Sequence, residues 1–276
     1  MATGIDPKQL LLVRALWGDK EIASHEKVLW DISYRAAEYA APLAGALTQV
    51  AVCYGKQNVE FARGCGYQVI EANDDVPPLY AQHRRTARSG RQGRIQGGVS
   101  MLWRKLDAIR VAFDALHPRS VLFLDWDVIV EKRPDAELLA MLEAGPEFQG
   151  RNQFAPKTTV PWRPEGRLRW TLYVGGCYYF RGRDLLDAAI QCHATKFPGD
   201  SDEMAVTYVV DQELGLDPAI DNERLYVSAM GMKKRGVDPY FRHGRLISLK
   251  RFAQIKAGDP WALNWLSKGK RASKGG

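Results

Sequence analysis

Residues 120–131 read Ser-Val-Leu-Phe-Leu-Asp-Trp-Asp-Val-Ile-Val-Glu, and this stretch constrains the fold more than any other. The run Val121 to Leu124 is wholly apolar, as in a strand buried on both faces; a half-exposed strand would alternate apolar and polar positions. It leads straight into Asp125 and Asp127. Successive strand side chains point to opposite faces, so the two carboxylates share one side and Trp126 takes the other. Two like charges there repel each other unless a cation lies between them, and hard oxygen ligands suit magnesium or manganese. Open α/β sheets bind ligands just beyond the carboxyl ends of their strands. The stretch therefore predicts a metal site on the floor of a cleft. The plainer alternative is a pair of carboxylates facing water.

The rest of the chain alternates strand and helix patterns. Strands are predicted over 9–17, 49–54 and 67–71. An Ala-rich, partly helical segment over 28–49, interrupted by Pro42, and a short helix over 58–63 lie among them. Residues 75–98 break the pattern with Pro77-Pro78 and the basic positions Arg84, Arg85, Arg88, Arg91 and Arg94, read as a loop that is either a phosphate-binding lid or a solvated segment. A helix is predicted over 100–116, where Leu102, Leu106, Ile109, Phe113 and Leu116 form one stripe flanked by Lys105. A further helix over 136–144 is closed by Gly145. Strands over 148–154 and 172–180 enclose a loop with Pro161, Trp162, Pro164 and Trp170. Leu186, Ile190, His193 and Phe197 make the next helical stripe, with His193 read as a core residue. A helix over 204–214 contains Asp211-Gln212, and a last strand-like piece over 245–249 follows His243. This alternation predicts a three-layer α/β/α fold with a mostly parallel central sheet.

A chain of 276 residues suits one large α/β domain or two small ones. The net charge of +7 suits an anionic partner, such as a nucleotide, a nucleic acid or an acidic membrane surface. Cys53, Cys65, Cys177 and Cys192 form no Cys-x-x-Cys pair and read as reduced thiols of a cytoplasmic protein. No signal peptide and no transmembrane segment is expected. Residues 267–276 read as a basic disordered tail.

Four pieces, in order, carry a resemblance to the GT-A glycosyltransferases, especially the retaining glycogenin-like and galactinol-synthase-like group. Met101-Leu102-Trp103-Arg104-Lys105-Leu106-Asp107 resembles the helix whose lysine reaches the sugar-nucleotide donor. Leu122 to Val130 resembles the Asp-X-Asp strand. Tyr173-Val174-Gly175-Gly176-Cys177 is similar to the Asn-Ser/Ala-Gly strand, with Val174 and Gly175 in place of the polar pair. Val210-Asp211-Gln212 is similar to the Asp-Gln element. His243-Gly244 and Lys250 sit where that family has a metal-binding histidine and a phosphate-binding lysine, although no Lys-Pro-Trp follows His243.

The resemblance implies a Rossmann-like GT-A domain over 1–266, with a nucleotide-binding half over about 1–130 and an acceptor half over about 131–266. It implies Mn2+ or Mg2+ held by Asp125, Asp127 and His243, and a nucleotide-sugar donor, UDP-sugar favoured, bound by Trp17, Lys105, Asp125 and Lys250. Asp211 and Gln212 would lie near the reacting sugar and acceptor. Trp17 is equally a core candidate, and Asp211 equally a helix cap or surface carboxylate. The reaction is retaining if the leaving phosphate takes the acceptor proton, and inverting if Asp211 is the base. Two alternatives stand beside this reading. One is a glycosyltransferase, or a non-catalytic protein, that binds DNA or RNA through the Arg84–Arg94 run. The other is a haloacid-dehalogenase-type phosphohydrolase using Asp125 and Asp127, to whose later acidic motif Asp200-Ser201-Asp202 is similar.

Overall fold

A computed structural model of the chain describes residues 10–17, 47–64, 67–82, 95–96, 99–100, 102–125, 128–130, 134–155, 158–227 and 239–243. In chain order their strands are β1 (Leu10–Leu16), β2 (Thr48–Tyr54), β3 (Gln68–Ala72), β4 (Ile95–Gln96), β5 (Val99–Ser100), β6 (Ser120–Leu124), β7 (Val128–Val130), β8 (Phe148–Gln149), β9 (Asn152–Phe154), β10 (Thr171–Tyr173), β11 (Cys177–Arg181), β12 (Tyr226–Val227) and β13 (Phe241–His243). Their helices are α1 (Lys56–Gly64), α2 (Pro78–Gln82), α3 (Trp103–Leu116), α4 (Ala136–Ala144), α5 (Asp184–Thr195) and α6 (Asp202–Glu213).

The apolar runs become the middle of a six-stranded sheet of order β3-β2-β1-β6-β11-β8. The first four strands are parallel, and β11 runs antiparallel to both β6 and β8. Alternate residues feed two cores. Leu11, Val13, Val121 and Phe123 face one side, packed with Trp103, Leu106 and Ile109 of α3, Leu186 of α5 and Val206 of α6. Leu10, Leu12, Leu122 and Leu124 face the other, under Leu138 and Leu142 of α4 and Phe241 of the small sheet β12-β13-β7. Ala51 and Cys53 on that second side meet Val59 and Ala62 of α1. The result is the expected three layers, with both faces of β1 and β6 dry. No helix among the described residues is long and apolar enough to cross a membrane.

The helix that carries Lys105 begins at Trp103, since residues 99–100 are in β5. It stops at His117, which adopts the left-handed conformation (φ 47°) and returns its N–H to the Phe113 carbonyl before Pro118. The Asp135 side chain caps α4 by accepting from the Leu138 N–H.

Several boundaries differ from the sequence expectation. The strand over 148–154 is two, β8 in the main sheet and β9 paired with β10. Both backbone groups of Gly150 leave the ladder, for Ile220 O at 3.1 Å and Asn222 N at 2.9 Å. The strand over 172–180 also breaks. Val174 N and Gly176 O still bond to Arg151 O and Asp125 N, one residue beyond β9 and β6, but the carbonyl and N–H of Gly175 between them go to the Lys105 and Glu203 side chains. α6 starts at Asp202, and Phe197 lies beyond the end of α5. The expected loop over 75–98 contains the short helix α2. The strand described near the end of the fold is β13; residues 245–249, 28–46, 83–94 and 267–276 lie outside the described residues.

Candidate functional site

Asp125 stands at the carboxyl end of β6, the position at which a parallel sheet opens toward ligand. Its N–H donates to Gly176 O at 2.9 Å, and its carbonyl accepts from Val128 N at 3.1 Å. The Asp125 and Val128 carbonyls are both pinned from β1. Arg14, 1% exposed, donates through Nη1 to the Asp125 carbonyl at 2.7 Å and through Nη2 to the Val128 carbonyl at 3.1 Å. Sequence reasoning missed Arg14; the signal was one charged residue inside the run Leu-Leu-Leu-Val-Arg-Ala-Leu. β13 lies antiparallel to β7 with residue 243 opposite Val128. The backbone at His243 is therefore registered beside the start of β7. Asp127, Lys250 and the His243 side chain lie outside the described residues.

The side chain of Asp125 meets α3. Lys105 Nζ donates to Asp125 Oδ2 at 2.6 Å and to the Gly175 carbonyl at 3.2 Å. The opposite side of the Gly175 peptide is held as well, its N–H donating to Glu203 Oε1 at 3.0 Å. Asp202, 1% exposed, accepts from the Tyr178 hydroxyl at 3.0 Å through Oδ2, while its buried Oδ1 has no hydrogen-bond partner among the described residues. Burial alone would lower the Lys105 pKa, but the charges of Asp125, Asp202 and Glu203 outweigh it and hold the ammonium charged. Burial and the neighbouring Asp202 push Glu203 upward, opposed by the Gly175 N–H and by Lys105. Asp202 and Glu203 belong here because both occupy the first turn of α6, where the helix dipole favours negative charge.

Gly175 now has a reason. A Cβ there would lie 2.7 Å from Asp202 Oδ2 and 3.2 Å from both Lys105 Nζ and the Tyr178 hydroxyl. The polar side chain expected at this position has no room, because buried groups from α3, α6 and β11 fill it.

Three carboxylates, Asp125, Asp202 and Glu203, surround one ammonium, and one buried carboxylate oxygen, Asp202 Oδ1, has no hydrogen-bond partner among the described residues. Carboxylate oxygens are the ligand type that a hard divalent cation takes, but here Asp125 Oδ2 holds the Lys105 ammonium and Glu203 Oε1 the Gly175 N–H. Among the described residues no three His, Cys, Asp or Glu side chains form a metal-holding group, so a bound ion also needs residues such as Asp127 and His243.

Asp211 lies elsewhere. At roughly 1.5 Å per residue it is ~13 Å along α6 from Asp202. Its carboxylate takes Arg163 Nη2 at 2.7 Å, Arg163 Nε at 2.5 Å and Trp162 Nε1 at 2.8 Å. Arg163 also donates to Asn152 Oδ1 and to Thr171. Asp211 is therefore neither a helix cap nor a surface carboxylate; it locks the 158–170 loop onto α6. Gln212 is exposed. Trp17 is half-buried against the main core at the end of β1. His193 is a core residue as read, with Nδ1 2.9 Å from the Tyr80 hydroxyl and Nε2 3.2 Å from the Asp200 carbonyl. The described cysteines Cys53, Cys177 and Cys192 are free thiols.

By sequence the chain matches no protein-family model and no curated protein. By fold it is similar to mouse xyloside xylosyltransferase 1 in its apo form, with a TM-score of 0.56 and 13% identity over 86% of this chain and 98% of that one. A glycosyltransferase involved in the glycosylation of the major capsid of PBCV-1 aligns at a TM-score of 0.42 and 12% identity, over 90% and 99% of the two chains. A mycobacterial protein aligns at 0.43 and 17%, over 77% and 64%. The last two superpose too loosely to compare in detail. At these identities the likeness is one of fold.

Proposed function

We propose that this chain is a metal-dependent glycosyltransferase that moves a sugar from a nucleotide-diphosphate sugar, with a UDP-sugar favoured, to an acceptor hydroxyl. The observation that carries the reading is the Lys105–Asp125 pair at the carboxyl end of β6, beside the side-chain-free Gly175 backbone. It stands in a fold shared with a xylosyltransferase.

In this reading Asp125, Asp127 and His243 hold Mn2+ or Mg2+. When bound, the ion supplies positive charge to the diphosphate as it leaves. Lys105, kept charged by its carboxylate neighbours, orients Asp125 and adds preorganised positive potential on the leaving-group side. Lys250 adds to the same potential. Arg14 holds the Asp125 and Val128 carbonyls, so Asp125 is positioned before the donor arrives. Asp211 supports the acceptor side by holding the 158–170 loop in place.

The test is a thermal-shift panel of UDP, GDP, ADP and CMP, followed by UDP-xylose and UDP-glucose, with Mn2+ and with chelator. Wild type, Asp127→Ala and Lys105→Met are compared. A ligand that binds only the folded state raises the Tm by mass action. Stabilisation by one nucleoside diphosphate, dependent on Mn2+ and lost in Asp127→Ala, is expected. No shift with any nucleotide, together with turnover of a phosphate monoester, would overturn the reading in favour of the phosphohydrolase.

A further inference from the structure

We infer that the tip of the 158–170 loop, Arg167-Leu168-Arg169-Trp170, docks a single-stranded polynucleotide, with a base stacked on the Trp170 ring and phosphates on the two guanidinium groups. The inference stands on the loop itself and goes beyond the transferase reading above.

The tip is held rigidly. At its root Arg163 donates to Asp211, Asn152 and Thr171. Nearer the end, the carbonyls of Leu168, Arg169 and Trp170 accept from Thr171, Val160 and Ala155. These bonds leave the side chains at 167, 168 and 170 to solvent. Leu168 and Trp170 are each 39% exposed, and with Leu216 they are the exposed large hydrophobics among the described residues. An indole left in water on a fixed backbone is a stacking platform with little ordering entropy still to lose on binding.

The neighbours of the ring select the partner. Arg167 is exposed, and its side chain makes no ion pair among the described residues. Arg169 has only a surface pair with Glu165, 3.2 Å away and 92% exposed, and such a pair contributes little in water. A third cation stands at the loop's root. Lys196 Nζ lies 3.5 Å from the centre of the Tyr208 ring, which packs edge-to-face with Trp162. Two separate apolar side chains are too few for the continuous patch that a protein partner or bilayer insertion calls for. One exposed ring among cations suits a polyanion with flat faces, because any base can stack and every nucleotide brings a phosphate. The net charge of +7 has the matching sign. The tip also leads directly into β10 and, five residues after Trp170, to Gly175, a span of at most ~17 Å at a strand's rise per residue. A strand docked at Trp170 therefore lies within reach of the Lys105–Asp125 site.

The test is fluorescence anisotropy with a labelled single-stranded oligodeoxynucleotide of mixed sequence, over a series of KCl concentrations. Wild type, Trp170→Ala, Trp170→Phe and the double variant Arg167→Gln/Arg169→Gln are compared, with Tm as the check that each is folded. Trp170→Ala should weaken binding about ten- to a hundredfold, and Trp170→Phe, which keeps a ring, should recover most of the loss. The double variant should lower the slope of log K against log salt by about 1.4, the share of two phosphate contacts on a single strand. Unchanged affinity in Trp170→Ala would overturn the inference and move the strand to the other basic segments. So would Trp170-dependent binding to phosphatidylserine vesicles without binding to the oligonucleotide, which would assign the tip to a membrane surface. The UDP thermal shift keeps the two readings apart. Wild type that binds UDP with Mn2+ but no oligonucleotide sinks the docking surface alone. Wild type that binds the oligonucleotide through Trp170 but no nucleotide supports the docking surface and sinks the transferase reading.

Discussion

Gly175 in the site and His193 in the core each depend on one local condition. At Gly175 the condition is space. Gly175→Ala would force a methyl against Asp202, Lys105 and Tyr178, whose buried atoms have little freedom to move. Overpacking of this kind costs roughly 1–3 kcal/mol, so denaturant unfolding should show that loss, with weakened UDP binding in the surviving fold. At His193 the condition is protonation. Burial lowers its pKa below the usual 6.5, and the pull of the Asp200 carbonyl and of Asp202 and Asp200 does not restore it. The unfolded chain therefore takes up a proton that the folded one refuses. Stability from this group is complete above pH 6.5 and is lost as pH falls toward the folded value. Tm measured between about pH 5 and 8 should fall on the acid side, and His193→Gln should flatten that slope. Glu203 has the opposite sign. Its folded pKa is raised, so the folded state keeps a proton that the unfolded one loses. Its penalty appears as pH rises above the usual glutamate range. Glu203→Gln should therefore gain stability over wild type at neutral pH, and the gain should vanish in acid.

At the level of elements, two arginines join parts of the chain that are far apart in sequence. Arg14 ties β1 to the carbonyls of Asp125, at the end of β6, and of Val128, the first residue of β7, against which residue 243 is registered. Arg14→Met fills a similar volume but removes both donors. It should weaken Mn2+ binding in the presence of UDP, measured by Mn2+ titration, and should also lower the Tm. Unchanged Mn2+ affinity in a folded variant would remove Arg14 from the site. Arg163 ties the 158–170 loop to α6 through Asp211, with side-chain exposures of 1% and 4%. Removing one member of such a pair leaves a buried charge, at about 3–5 kcal/mol. Arg163→Met and Asp211→Leu should each cost that much in urea unfolding. The double variant should cost less than the sum, because neither charge is then stranded. α6 thus carries Asp202 and Glu203 at its first turn and the loop clamp near its last.

For the whole molecule, the parallel strands between the two cores should be its most protected part. Amides of β1, β2 and β6, in the middle of the six-stranded sheet, should exchange only through global opening, and those of the two-stranded β9–β10 sheet sooner. Hydrogen exchange read by mass spectrometry checks this order.

Much of this architecture was legible from periodicity. Apolar runs mark strands with two dry faces, and the four-and-three spacing of Leu102, Leu106, Ile109 and Phe113 marks the helix that carries Lys105. Side-chain burial is a local record, so β1, β6, α3 and the three-layer class could be read without the structure. Asp125 was legible as a site candidate because it sits at the end of such a run, whereas Lys105, at the edge of its stripe, became a candidate only through the resemblance of its helix to the glycosyltransferase one. Hydrogen bonds between distant residues leave no such record. Nothing near Arg14 in sequence indicates two carbonyls 111 and 114 residues away. The two split strands look continuous in sequence, and they break because Gly150 and Gly175 give their backbone groups to tertiary partners. Packing likewise assigned the two ends of α6, giving Lys105 the company of Asp202 and Glu203 and giving Asp211 to Arg163. By itself the sequence determined which faces would be dry and where a carboxylate would emerge from them. Only the tertiary structure decided which charges would meet, because that depends on how the layers stack over the ends of the strands.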